Sequence, residues 1–177
     1  MNFVSLEKTK ITFVKDLLLE DCAYTPNLFL KTSRIAHLNI DVYRYLQIKP
    51  NSIMRKINIS HLDKIINSHN YIFTEINKLI NSLDSKNNID IKCIDRLRNR
   101  QQTLLFFLIS KLVKTSYPID KLKTAIHNFE ELKTYPLNNF ISEKYHGIKY
   151  EILSRIFGYK YLLIPFTRIY RKLKKNS

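Results

Sequence analysis

"SHLDKIINSHNYIFTEINKLINSL", residues 60–83, decides the fold. Leu62, Ile65, Ile66, Ile72, Phe73, Ile76, Leu79, Ile80 and Leu83 recur at helical spacing, and polar residues fill the positions between them. That pattern lays one apolar stripe along a helix and leaves the rest wet. Ser60 followed by Asp63 resembles a capping box, with Asp in place of the usual Glu.

Working outward, the same period recurs. Ser5 is a candidate cap for a helix through about Cys22. Thr25 before Pro26 signals a second start, running to about Gln47 and stopped by Pro50. Residues 51–59 read as a connector. "DSKNN", residues 84–88, is a polar turn, and a long helix follows from about Asp90 to Lys114. Pro118 opens another, with Ile119, Leu122, Ile126 and Phe129 inward, ending before Pro136. From Asn138 onward Gly147, Gly158 and Pro165 interrupt the pattern. Two shorter helices with a kink are expected there.

The chain has 177 residues, enough for one domain with a real core. Two glycines leave little material for sheet turns or phosphate loops. The expectation is an all-α, single-domain bundle of about six amphipathic helices. Residues 1–157 would form the bundle, and 158–177 a basic amphipathic tail. The start, "MNFVSLEKTK", lacks an apolar core behind basic residues, so no signal peptide is expected. No apolar run is long enough for a transmembrane segment. Cys22 and Cys93 match no metal or redox spacing and read as free thiols in a reducing, intracellular setting.

The formal net charge is +15. It is concentrated: residues 144–177 hold nine Lys or Arg against Glu151 alone, about half the excess in the last fifth of the chain. Such a region attracts polyanions. Within "FTRIYRKLKK", Phe166, Ile169, Tyr170 and Leu173 fall at i, i+3, i+4 and i+7. Lys160, Arg168, Arg171, Lys172, Lys174 and Lys175 supply the cations around that stripe. Tyr159 and Tyr161 precede it. Cationic flanks, an apolar face and tyrosines suit the headgroup layer of an anionic membrane. An acidic protein partner would use the same groups. The plainer alternative is a last helix docked apolar face inward, its lysines favourably placed at the C-terminal end.

A second basic stretch, "IKCIDRLRNRQQ", carries Lys92, Arg96, Arg98 and Arg100. Arg96 and Arg100 share a face, Arg98 points elsewhere, and Asp95 weakens the patch. Arg96 and Arg100 are the candidate phosphate contacts of an alternative reading, a nucleic-acid-binding helical protein that uses this face together with the basic tail.

Catalytic signals are sparse. Glu143 and His146 have the Glu-x-x-His spacing of di-iron bundles, but a second copy is missing. His127 and Glu130 have the reverse order. His37 and Asp41 stand one turn apart, as an exposed ion pair would. Arg55 and His61, separated by five residues, resemble the arginine–histidine element of HEPN-type ribonucleases. The resemblance implies a third reading: a helical ribonuclease in which Arg55 holds phosphate and His61 moves a proton. Phosphate-loop, nucleophile-elbow and zinc motifs are absent, so no cofactor and no metal are expected. The leading expectation is a non-enzymatic protein, cytoplasmic and peripheral on a membrane, contacting an anionic surface through its C-terminal region.

Overall fold

The computed structural model describes residues 11–32, 58–138 and 147–175. Among them are six α-helices and no strand: α1 Asp21–Lys31, α2 Ile59–Ser82, α3 Asn88–Lys114, α4 Ile119–Glu131, α5 Ile148–Gly158 and α6 Lys160–Lys175. The fold is all-α. Of the helix predicted from Ser5 to about Cys22, residues 11–22 are described; the continuation of the second predicted helix beyond Thr32 lies outside the described residues, as do His37, Asp41, Arg55, Glu143 and His146.

The stripe of α2 is the centre of the core. Leu62, Ile65, Ile72, Phe73 and Ile76 are all fully buried. Phe73 meets Phe129 of α4 edge to face at 5.5 Å. α3 lies against α2 on one side and against α5 and α6 on the other. Its Phe106 packs on Phe157 of α5, with ring centroids 5.3 Å apart. α3 is therefore the shared wall between an N-terminal layer of α1, α2 and α4 and a C-terminal layer of α5 and α6.

Four boundaries differ from the sequence reading. The cap of α2 is Asn58, which is extended and whose side chain accepts from the His61 N–H at 2.8 Å. Ser60 already lies inside the helix. Asp63 instead reaches another element, accepting from Tyr117 Oη at 2.6 Å and Lys121 Nζ at 2.6 Å. α1 begins at Asp21 and contains Pro26, so no break falls between Cys22 and Thr25. Upstream of it, positive φ at Asp16 and Leu19 marks turns where a helix was expected. Pro165 likewise sits inside α6, and the chain bends at Tyr159, which is extended (φ −125°, ψ 121°). Gly158 stands just before that bend in close approach to the 132–138 segment: a Cβ there would lie 3.1 Å from the Leu137 carbonyl oxygen, a tight contact.

Candidate surface-binding site

α6 carries two apolar stripes, not one. The inner one holds Leu163 and Thr167, both fully buried, with Phe166 and Tyr170 half-buried beside them. Phe166 and Tyr170 stack at 6.1 Å, and Phe166 also meets Phe157 at 6.1 Å. The outer stripe holds Leu162, Pro165, Ile169 and Leu173, spaced three and four apart. Ile169 is 60% exposed and Leu173 64%. At about 100° per residue these four fall within one narrow arc. The predicted set Phe166, Ile169, Tyr170 and Leu173 is thus divided. Phe166 and Tyr170 turn toward the bundle, while Ile169 and Leu173 face solvent. Leu162 and Pro165 were missed because the sequence stripe was begun at Phe166; a wheel drawn from Lys160 would have included them.

The cations divide as well. Arg171 is a structural clamp. Its Nη2 donates to the Leu112 carbonyl at 2.7 Å, Nη1 to Tyr117 at 2.6 Å and Nε to Val113 at 3.2 Å. These carbonyls lie at and just beyond the end of α3, where a helix has acceptors to spare and a negative dipole end. Partial burial lowers the pKa of this guanidinium, yet it stays charged at any ordinary pH. Lys174 reaches toward the Lys114 carbonyl at 3.4 Å. Lys160 pairs with Glu130 of α4. Arg168 and Lys172 remain exposed on the solvent side of α6. By helical geometry they flank the outer stripe along one edge. Lys175 is the last residue of the helix.

On α3, Arg96 and Arg98 are exposed, and Arg100 donates to Cys22 Sγ at 3.5 Å. Burial raises the Cys22 thiol pKa. It is a free, buried thiol, and Cys93 is free and half-buried. Arg98, the residue set apart from the Arg96–Arg100 face, lines a broad cleft with Lys133 and Arg155.

The groups with catalytic spacing take other roles where they are described. His61 Nε2 is buried with no hydrogen-bond partner among the described residues. His127 faces Glu130 and Glu131, each at 3.6 Å. No cluster of three or more potential metal ligands occurs among the described residues. His69 is a histidine the sequence reading passed over. It is buried in α2, with Nδ1 2.8 Å from the Ile65 carbonyl, and desolvation pulls its pKa down to about 4. It is a neutral core residue at neutral pH.

No helix among the described residues is long and apolar enough to cross a membrane. Compared with known families, curated proteins and solved structures, the chain matches no family model, no curated protein and no solved structure.

Proposed function

We propose that this chain is a peripheral binding protein that seats the outer face of α6 on an anionic membrane surface. One observation carries the reading. α6 has already satisfied the bundle with Leu163 and Thr167, yet it presents a second apolar stripe, Leu162, Pro165, Ile169 and Leu173, to solvent. A helix that only closes a bundle needs one such face.

Charge complementarity supports a lipid headgroup layer as the occupant. Arg168 and Lys172 border the stripe, Tyr159 and Tyr161 stand exposed at its N-terminal end, and the whole chain is strongly basic. Tyrosines and long cations keep their polar ends at the interface while their bodies cover apolar surface. Each cation near an anionic leaflet contributes about 1 kcal/mol. Partial burial of Ile169 and Leu173 adds on the order of a few kcal/mol. The sum describes reversible attachment of a folded helix lying flat. Arg171 has no part in the contact, because its donors are occupied at the end of α3.

The test is flotation of the intact protein with neutral vesicles and with vesicles containing phosphatidylserine. The expected result is association with the anionic vesicles, weakened by salt and by Arg168→Gln/Lys172→Gln. Equal association with neutral and anionic vesicles, or none with either, overturns the reading. Retention by an acidic protein without any vesicle association would assign the face to a protein partner instead.

A further inference from the structure

We infer that the cleft between α2, α3, the 132–138 segment and the end of α5 is a binding site for single-stranded nucleic acid. The cleft has a volume of about 1210 Å³. That is above the roughly 300–1,000 Å³ usual for small-molecule sites, and suits an extended ligand of several units.

Its walls are fixed from below. Gln101 donates to the Phe73 carbonyl at 3.2 Å and to Asn77 Oδ1 at 2.9 Å, and Asn77 donates onward to the Leu132 carbonyl at 2.8 Å. Gln102 donates to the Thr134 carbonyl at 2.8 Å and accepts from the Asn138 N–H at 2.9 Å. These carboxamides are committed to tying the 132–138 segment onto α2 and α3. The close approach at Gly158 brings the end of α5 against the same segment. A groove held open by such bonds is preorganised, and a ligand entering it spends little on ordering the protein.

The groups that remain for a ligand are of three kinds. Arg98, Lys133 and Arg155 come from three different elements and converge on the cleft. Two carboxylates, Asp95 and Glu131, share the lining, and Glu131 faces His127 at 3.6 Å. Asn81 and Asn99 add carboxamides, which read base edges by paired donor and acceptor. Tyr159, half exposed, lines the cleft with its ring 5.4 Å from that of Tyr161. Cations that follow phosphates, with an aromatic on which a base can stack, are the two elements of sequence-tolerant single-strand binding. The cleft is concave, and its carboxamides could meet bases only where they are unpaired. The lining is mainly polar and lacks an apolar stripe like that of α6; the cleft and the proposed membrane face share Tyr159 but draw on different cations.

Fluorescence anisotropy of the full chain with labelled oligo-U and oligo-dT, across a salt series, tests this. Binding of both, or of oligo-U alone, is the expected result, with affinity falling steeply as salt rises. Arg98→Gln/Arg155→Gln should weaken binding at least tenfold and lower the magnitude of the log–log salt slope by about 1.4, at about 0.7 per lost phosphate contact. Tyr159→Ala should weaken binding by about tenfold at every salt concentration, since stacking is not a counterion effect. All three side chains are exposed, so an unchanged thermal melt accompanies each variant. The Arg98→Gln/Arg155→Gln protein should float with anionic vesicles as the parent does, so failure here and failure of the membrane reading are told apart. No binding of either oligonucleotide at low salt, tighter binding of a duplex, or an unaltered affinity and slope in the double variant overturns the inference.

Discussion

α2 and α6 are both strongly amphipathic helices, and they differ in what folding leaves over. In α2 the large apolar residues of the stripe are consumed: Leu62, Ile65, Ile72, Phe73 and Ile76 are within a per cent or so of complete burial. In α6 the bundle takes Leu163 and Thr167 and part of Phe166 and Tyr170, and leaves Ile169 and Leu173 in water. Hydrophobic periodicity in α2 is taken up by the core, with Leu79, Ile80 and Leu83 partly buried against it. In α6 it exceeds what the core uses. The same contrast holds for charge. Arg171 is spent on the end of α3, whereas Arg168, one turn earlier, lies exposed to solvent.

The largest effects test the buried half of that contrast. Phe73→Ala should cost about 3–5 kcal/mol, and Leu163→Ala about 2–5 kcal/mol, in chemical denaturation. Comparable losses at the two sites would place the inner face of α6 in the same core as α2. If Leu163→Ala were silent, α6 would be an appendage. For the same reason, ending the chain at Gly158 is a poor probe of surface binding, since it removes Leu163, Thr167 and Arg171 together.

Next in size is Arg171→Gln, expected to cost about 1–3 kcal/mol because three part-buried carbonyls lose charged donors. Arg168→Gln should change stability by less than about 0.5 kcal/mol. Equal costs at the two positions would erase the distinction between a clamp and a surface cation.

Smaller again is a pH effect inside α2. Burial holds the folded-state pKa of His69 at about 4, below its ordinary value of 6.5. Between those values the unfolded chain binds more protons than the folded one. Stability from this group is therefore complete above the unfolded pKa and is lost as pH falls toward the folded pKa. The slope should be at most about 1.4 kcal/mol per pH unit. Denaturation midpoints near pH 7 and pH 5 check it, and His69→Leu should remove that part of the dependence. Asp63 runs on a lower window: its pKa is depressed by the bonds from Lys121 and Tyr117. Its contribution is present above the ordinary carboxylate pKa and lost as pH falls through the depressed one. Being partly exposed, it is worth under about 1 kcal/mol, so Asp63→Asn should lower the midpoint only slightly at pH 7.

The helices of the bundle were legible because each repeats one period long enough to outweigh local ambiguity, as α2, α3 and α4 do. The ends were less so. Ser60 and Asp63 have capping chemistry, but Asn58 stands at the actual entry and Asp63 finds Tyr117 and Lys121, which lie more than fifty residues away. Pro165 read as a break, yet in α6 it removes only the bond to the carbonyl of Tyr161, an exposed residue whose acceptor water can serve. The candidate site was half legible. Spacing found the cations and Ile169 with Leu173, but it reports direction around one helix only. Which cations are occupied depends on what neighbours offer: the carbonyls ending α3 for Arg171, and Glu130 for Lys160. The cleft was not legible at all, since Arg98, Lys133 and Arg155 are brought together only by the packing of three elements.

The smallest expected effect on stability belongs to the outer stripe, and it carries the central claim that this stripe is surplus to folding and serves contact. The measurement is a paired one on Ile169→Ser/Leu173→Ser: thermal unfolding, then flotation with phosphatidylserine vesicles at low salt. The account predicts a melt within about 0.5 kcal/mol of the parent together with a clear loss of vesicle association. A variant that unfolds would return the stripe to the core, and one that melts normally and floats as well as the parent would contradict the proposed contact.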